Sequence, residues 1–133
     1  MIAYDGSHFK GWQIQPGEKT VQNSLELAIK KIAHAKIKVH GSGRTDTGVH
    51  ALGQVAHFEI PLESRMTAQE WHRAINVNLP PTIRVLSAEL VSTDFHARFS
   101  AKSKTYRYDI NTSQILSPHE FLKAWHHPKN LDV

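Results

Sequence analysis

Two capped, amphipathic helical segments set among short strand-like runs constrain this chain most. Thr20 stands where a helix N-cap belongs. Val21, Leu25, Ala28, Ile29 and Ile32 follow at i, i+4, i+7, i+8 and i+11, one face of a helix. Thr67 and Glu70 have capping-box spacing ahead of Trp71, Ala74 and Ile75, and Pro80 and Pro81 stop that second helix. Strand signals fill the rest. Met1 to Asp5 is a short apolar run cut by Gly6, and Lys36 to His40 alternates through Ile37 and Val39. Ala51 to Ile60 has Val55, Ala56 and Phe58 at its apolar heart and ends at Pro61. Thr82 to Val91 alternates loosely, and Ser103 to Ile110 alternates cleanly. The order is β-α-β-β-α-β-β. Its first six elements match the split βαβ arrangement, an α+β fold with an antiparallel sheet and two helices on one face. Residues 1–110 read as one domain, and 111–133 as a connection without a period.

Composition narrows the chemistry. A chain of 133 residues is one domain by its length. It has no cysteine, which excludes disulfides, thiolate zinc sites and thiol catalysis. No apolar run approaches the ~20 residues of a membrane span, and the first ten residues lack a signal peptide's apolar stretch. The expected compartment is the cytoplasm, with no membrane partner. The net charge is +4, which permits a nucleic-acid partner without requiring one. Its placement says more. Between Phe95 and Tyr108 stand His96, Arg98, Lys102, Lys104 and Arg107, interleaved with Phe95, Phe99, Tyr106 and Tyr108, with no acidic residue among them. Cations for phosphates and rings for bases are what an RNA surface needs. An edge strand with solvated lysines fits the same composition.

The densest chemical cluster is Gly41-Ser-Gly-Arg-Thr-Asp-Thr-Gly-Val-His50. Gly43 and Gly48 are spaced like a phosphate loop, but Val49 stands where the lysine belongs. Position 46 is Asp where a dinucleotide fingerprint needs glycine. His57-Phe-Glu59 has the histidine-any-glutamate spacing of zinc deaminases, yet their cysteines are missing. His126-His127 has no carboxylate at ligand spacing, so the ten histidines read as scattered surface residues and no metal is expected. Asp46-Thr47-Gly48 matches the Asp-Thr-Gly of aspartic proteases. The preceding Gly43-Arg44-Thr45 is not the apolar strand that buries such an aspartate, and two amphipathic helices do not suit an all-β protease. What remains is an aspartate on a glycine turn, two residues after Arg44. In an extended segment the two side chains project the same way. Turn chemistry alone also places Asp and Gly there.

Four blocks, in order along the whole chain, resemble the bacterial tRNA pseudouridine synthase A family. They are Tyr4-Asp-Gly-Ser with Gly11-Trp12-Gln13, Gly43-Arg-Thr-Asp-Thr-Gly-Val-His50, Asn76-Val-Asn-Leu-Pro80, and Phe95-His-Ala-Arg-Phe-Ser-Ala101 running into Lys104-Thr-Tyr-Arg-Tyr108. The resemblance implies one ferredoxin/RRM-like half of the pseudouridine synthase fold. It implies an enzyme that isomerises uridine in the tRNA anticodon stem–loop without cofactor or metal. Asp46 is then the catalytic aspartate, Arg44 helps to displace the target base, and Tyr106 packs on the target uracil. His96, Arg98, Lys104 and Arg107 meet the RNA, with Phe95 to Ser100 close to the site. Carboxylates are ionised at neutral pH, so an attacking aspartate needs no activating base.

Family members are roughly twice this long, so the chain reads as an N-terminal half, a truncated form. An uncovered apolar surface then favours a homodimer. A non-catalytic RNA-binding module on the same sheet is the alternative from another class, although the aromatic RNP1 pattern is missing.

Overall fold

Both capping threonines start helices where the sequence places them. The computed structural model describes residues 1–129, 131 and 132. Helix α1 runs Val21–Ala33, and the Thr20 side chain accepts from the Asn23 amide. Helix α2 runs Ala68–Asn78 behind a complete capping box, with Glu70 returning a bond to the Thr67 amide. Those capping bonds hold the Glu70 carboxyl below the usual carboxylate range. The buried face of α1 is Val21, Gln22, Leu25, Ala28 and Ile29; that of α2 is Trp71 and Ile75.

The chain divides into two compact units, Met1–Ala101 and Lys102–Val133. In the first, strand β1 (Ile2–Tyr4) lies between β3 (Ala51–Gln54) and β5 (Ile83–Val85), antiparallel to both. Strand β2 (His40–Gly41) pairs antiparallel with β4 (Ala56–His57). Only Val55 separates β3 from β4, and its carbonyl accepts from the Ser42 amide at 2.8 Å. One run therefore passes from pairing with β1 to pairing with β2. The order across the unit is β5, β1, β3 with β4, then β2, with every pairing antiparallel. That is the α+β, split βαβ topology read from the sequence.

The core lies between these strands and the two helices. Ile2, Tyr4, Phe9, Trp12, Leu25, Ile29, Val39, Trp71, Ile75 and Ile83 are all buried in it. Each large apolar side chain so buried contributes about 1.5–3 kcal/mol.

The strands are shorter than the alternation predicts. Lys36 to His40 yields only His40, because the Val39 peptide is taken by α1. Its amide donates to Glu26 Oε1 at 3.0 Å and its carbonyl accepts from Gln22 Nε2 at 2.9 Å. Ala51 to Ile60 breaks at Val55, which is exposed rather than at an apolar heart. Thr82 to Val91 forms a strand only over Ile83–Val85.

In the second unit Ser103 to Ile110 is no strand before Ile110, and residues 102–109 are exposed. Alternation makes a strand only where a ladder partner exists. Here the partner reaches only β6 (Ile110–Asn111), which pairs in parallel with β7 (Trp125–His126). Between them lies a 3-10 turn, Pro118–Glu120, capped by Ser117. Asn111 bridges the connection, donating to Glu120 Oε2 at 2.7 Å.

Candidate active site and nucleic-acid interface

The aspartate turn is built by two loops that grip each other. Asp46 to Val49 closes on itself, the Val49 amide donating to the Asp46 carbonyl at 3.2 Å. Gly48 sits at φ +81°, the left-handed position that such a turn reserves for glycine. The loop after β1 holds this turn from outside. Trp12 N–H donates to the Thr45 carbonyl at 2.9 Å, and Gly48 N–H to the Phe9 carbonyl at 3.3 Å. Gly6 N–H donates to His50 Nδ1 at 3.2 Å. Tyr4, buried in β1, reaches Thr45 Oγ1 with its hydroxyl at 2.8 Å.

Two glycines make this approach possible. A Cβ on Gly6 would stand 2.0 Å from the Val49 carbonyl oxygen. A Cβ on Gly11, at φ +79°, would stand 2.5 Å from that of Thr45. The Tyr4-Asp-Gly-Ser and Gly11-Trp blocks are thus the socket for the block that carries Asp46. Asp5 completes the socket. It accepts from the Ser7 amide at 3.0 Å and Oγ at 2.6 Å, and lies 3.2 Å from His50 Nδ1. The aspartate-bearing backbone is fixed while the Asp46 and Arg44 side chains stay exposed. Such an arrangement presents a carboxylate to a ligand at little ordering cost.

The Asn76 block is structural. Asn76 Nδ2 donates to the Val85 carbonyl and Oδ1 accepts from the Val85 amide, each at 2.9 Å. It ties the end of α2 to β5 as a strand partner would.

His96 and Arg98 share a turn over residues 95–100 of the first unit. Ala97 is buried there, and Arg98 and Phe99 are exposed. Lys104, Tyr106 and Arg107 belong to the second unit, all exposed, and Arg107 Nε pairs with Asp109 at 2.9 Å. The expected scatter of histidines is corrected for three of them. His40 and His57 are register partners across β2 and β4, their rings stacked at 5.1 Å. His96 meets His57 edge-on at 4.6 Å and stacks on Phe99 at 4.3 Å. The pairing of β2 with β4 creates this cluster, and no spacing along the chain announces it. Gln22 was equally hidden. It is buried, accepts from the Ile14 amide at 3.0 Å, and so joins loop, helix and Val39. Among the described residues no group of three or more His, Asp, Glu or Cys could hold a metal ion.

Comparison with known proteins meets this geometry. The tRNA pseudouridine synthase family matches residues 1–100, which take in the Asp46 turn, its socket, the Asn76 tie and the 95–100 turn. The chain belongs to the tRNA pseudouridine synthase family. Proteins named tRNA pseudouridine synthase A are similar over most of its length. The one from Akkermansia muciniphila is 52% identical over 126 residues, covering 95% of this chain and 48% of the relative. That from Maridesulfovibrio salexigens is 54% identical, covering 83% of this chain and 40% of the relative. That from Geobacillus kaustophilus is 49% identical, covering 100% and 51%. The chain spans about half the length of these relatives. Among the described residues no helix is long and apolar enough to cross a membrane.

Proposed function

We propose that this chain carries the catalytic-aspartate half of a tRNA uridine-to-pseudouridine isomerase acting on the anticodon stem–loop. The observation that carries the reading is the exposed Asp46 side chain on a backbone turn locked into the Gly6–Trp12 loop. In the reaction the bond between uracil N1 and ribose C1′ breaks and one between C5 and C1′ forms. The C5 proton leaves and N1 gains one, so the product is an isomer of the substrate. Asp46 forms a transient bond to the ribose or the base as the N1–C1′ bond breaks, and that bond breaks again on the way to the C5–C1′ product, which returns the free carboxylate. Arg44, two residues away, helps to displace the base from its stack. Unstacking costs a few kcal/mol, and packing on Tyr106 returns about 1–3 kcal/mol. His96, Arg98, Lys104 and Arg107 hold the RNA.

The second reading, an RNA-binding module without turnover, is favoured by the exposed cations and rings of Arg98, Phe99, Lys104, Tyr106, Arg107 and Tyr108. Incubation of the cooperatively folded chain with tRNA tritiated at C5 of uridine separates the two. Tritium release supports the isomerase. Salt-sensitive tRNA binding with no release, after prolonged incubation with excess protein, overturns it for this chain in favour of the binding module.

A further inference from the structure

The 95–100 turn is held by two histidine nitrogens acting as acceptors. Ala97, at 2% exposure, donates its amide to His57 Nδ1 at 3.2 Å. His96 Nδ1 accepts from the amides of Arg98 at 3.2 Å and Phe99 at 3.4 Å. The Ser100 amide returns to the His96 carbonyl at 2.8 Å, and Ser100 Oγ accepts from the His96 amide at 3.1 Å. An Nδ1 that accepts is unprotonated, so each ring carries its proton on Nε2.

We infer that His57 and His96 are positioning residues, a latch that holds the 95–100 turn, and Arg98 with it, and that the latch holds only while the His57 ring is neutral. Protonation converts an acceptor into a donor aimed at a backbone N–H. At His57 it also leaves the buried Ala97 amide without its partner. The groups facing His57 are His40 from β2, His96 from the turn itself and Glu59, two residues further along the chain beyond β4. Two of the three oppose a positive charge. Burial first, then His96 and His40, push the His57 pKa down from the ordinary 6.5. The sign follows. The unfolded chain takes up this proton first as pH falls below 6.5, so the latch contributes fully above that value. Its contribution is lost as pH falls through the lower, folded-state pKa. Neutral pH keeps the turn closed, and acid below the folded-state pKa of His57 releases it.

The use assigned to the latch, presenting Arg98 to an RNA phosphate, rests on the proposed function; the latch itself does not. Amide exchange read residue by residue tests the latch directly, with protection corrected for the intrinsic effect of pH. Ala97 protection is expected to fall by at least ~2-fold between about pH 7.5 and about pH 5. His57→Asn, whose Oδ1 can accept in place of Nδ1, is expected to keep Ala97 protected at both. His57→Leu, checked for cooperative melting, is expected to lose that protection at both. Undiminished wild-type protection at the lower pH overturns the inference, as does full protection in His57→Leu. Retention of tRNA at neutral pH is read in parallel. Loss of retention in His57→Leu with none in His57→Asn ties the latch to RNA. Unchanged retention in His57→Leu and in Arg98→Ala removes Arg98 from the RNA interface while the exchange result stands.

Discussion

At the scale of single residues, glycine carries the site as much as aspartate does. Gly6, Gly11 and Gly17 make a graded series. Gly6→Ala drives a methyl to 2.0 Å from the Val49 carbonyl oxygen. Gly11→Ala combines a positive φ with a 2.5 Å clash. Gly17 has a similar φ, +75°, with open space around it. Urea unfolding should show about 1 kcal/mol lost at Gly17, the cost of left-handed backbone alone. It should show about 3 kcal/mol or more at Gly6 and Gly11. Equal losses at all three would remove the close-approach account. The aspartate turn was legible at this scale, because Asp46 and Gly48 are local turn chemistry. The histidine latch was not. His40, His57 and His96 stand far apart in sequence, and only the β2–β4 register stacks the first two.

At the scale of elements, helices were legible with their bounds and most strands only in place, not in length, for one physical reason. A helix carries its start signal and its buried stripe within a few residues, so Thr20 and Thr67 marked real beginnings. A strand's length depends on what lies beside it. The Val39 peptide found α1 side chains before it found a strand, and Ser103 to Asp109 found no ladder. The Asn76 tie gives this scale its test. Asn76→Ala removes the acceptor of the Val85 amide, while the Val85 carbonyl keeps His72 Nε2 at 2.9 Å, and should cost about 1–3 kcal/mol. Thr67→Ala, which removes an exposed cap, should cost about 1 kcal/mol. Thermal melts of the two variants, compared with wild type, check the ranking. A larger loss at Thr67 would mean that Asn76 is peripheral.

At the scale of the molecule, the topology places the chemistry. Central β1 delivers Tyr4 to Thr45, and the loop that follows β1 supplies the socket for the turn just before β3. Three of the four blocks, separate along the chain, become one loop pair and one helix–strand tie. The central claim is that Asp46 does chemistry and that its neighbours build the turn. Release of tritium from C5-labelled tRNA and retention of the same tRNA, read together for wild type and Asp46→Asn, test it most directly. The account predicts release at least ~100-fold slower in the variant, with retention within about twofold of wild type. Release at the wild-type rate, or release and retention lost together, would make Asp46 a residue of the turn rather than of the reaction.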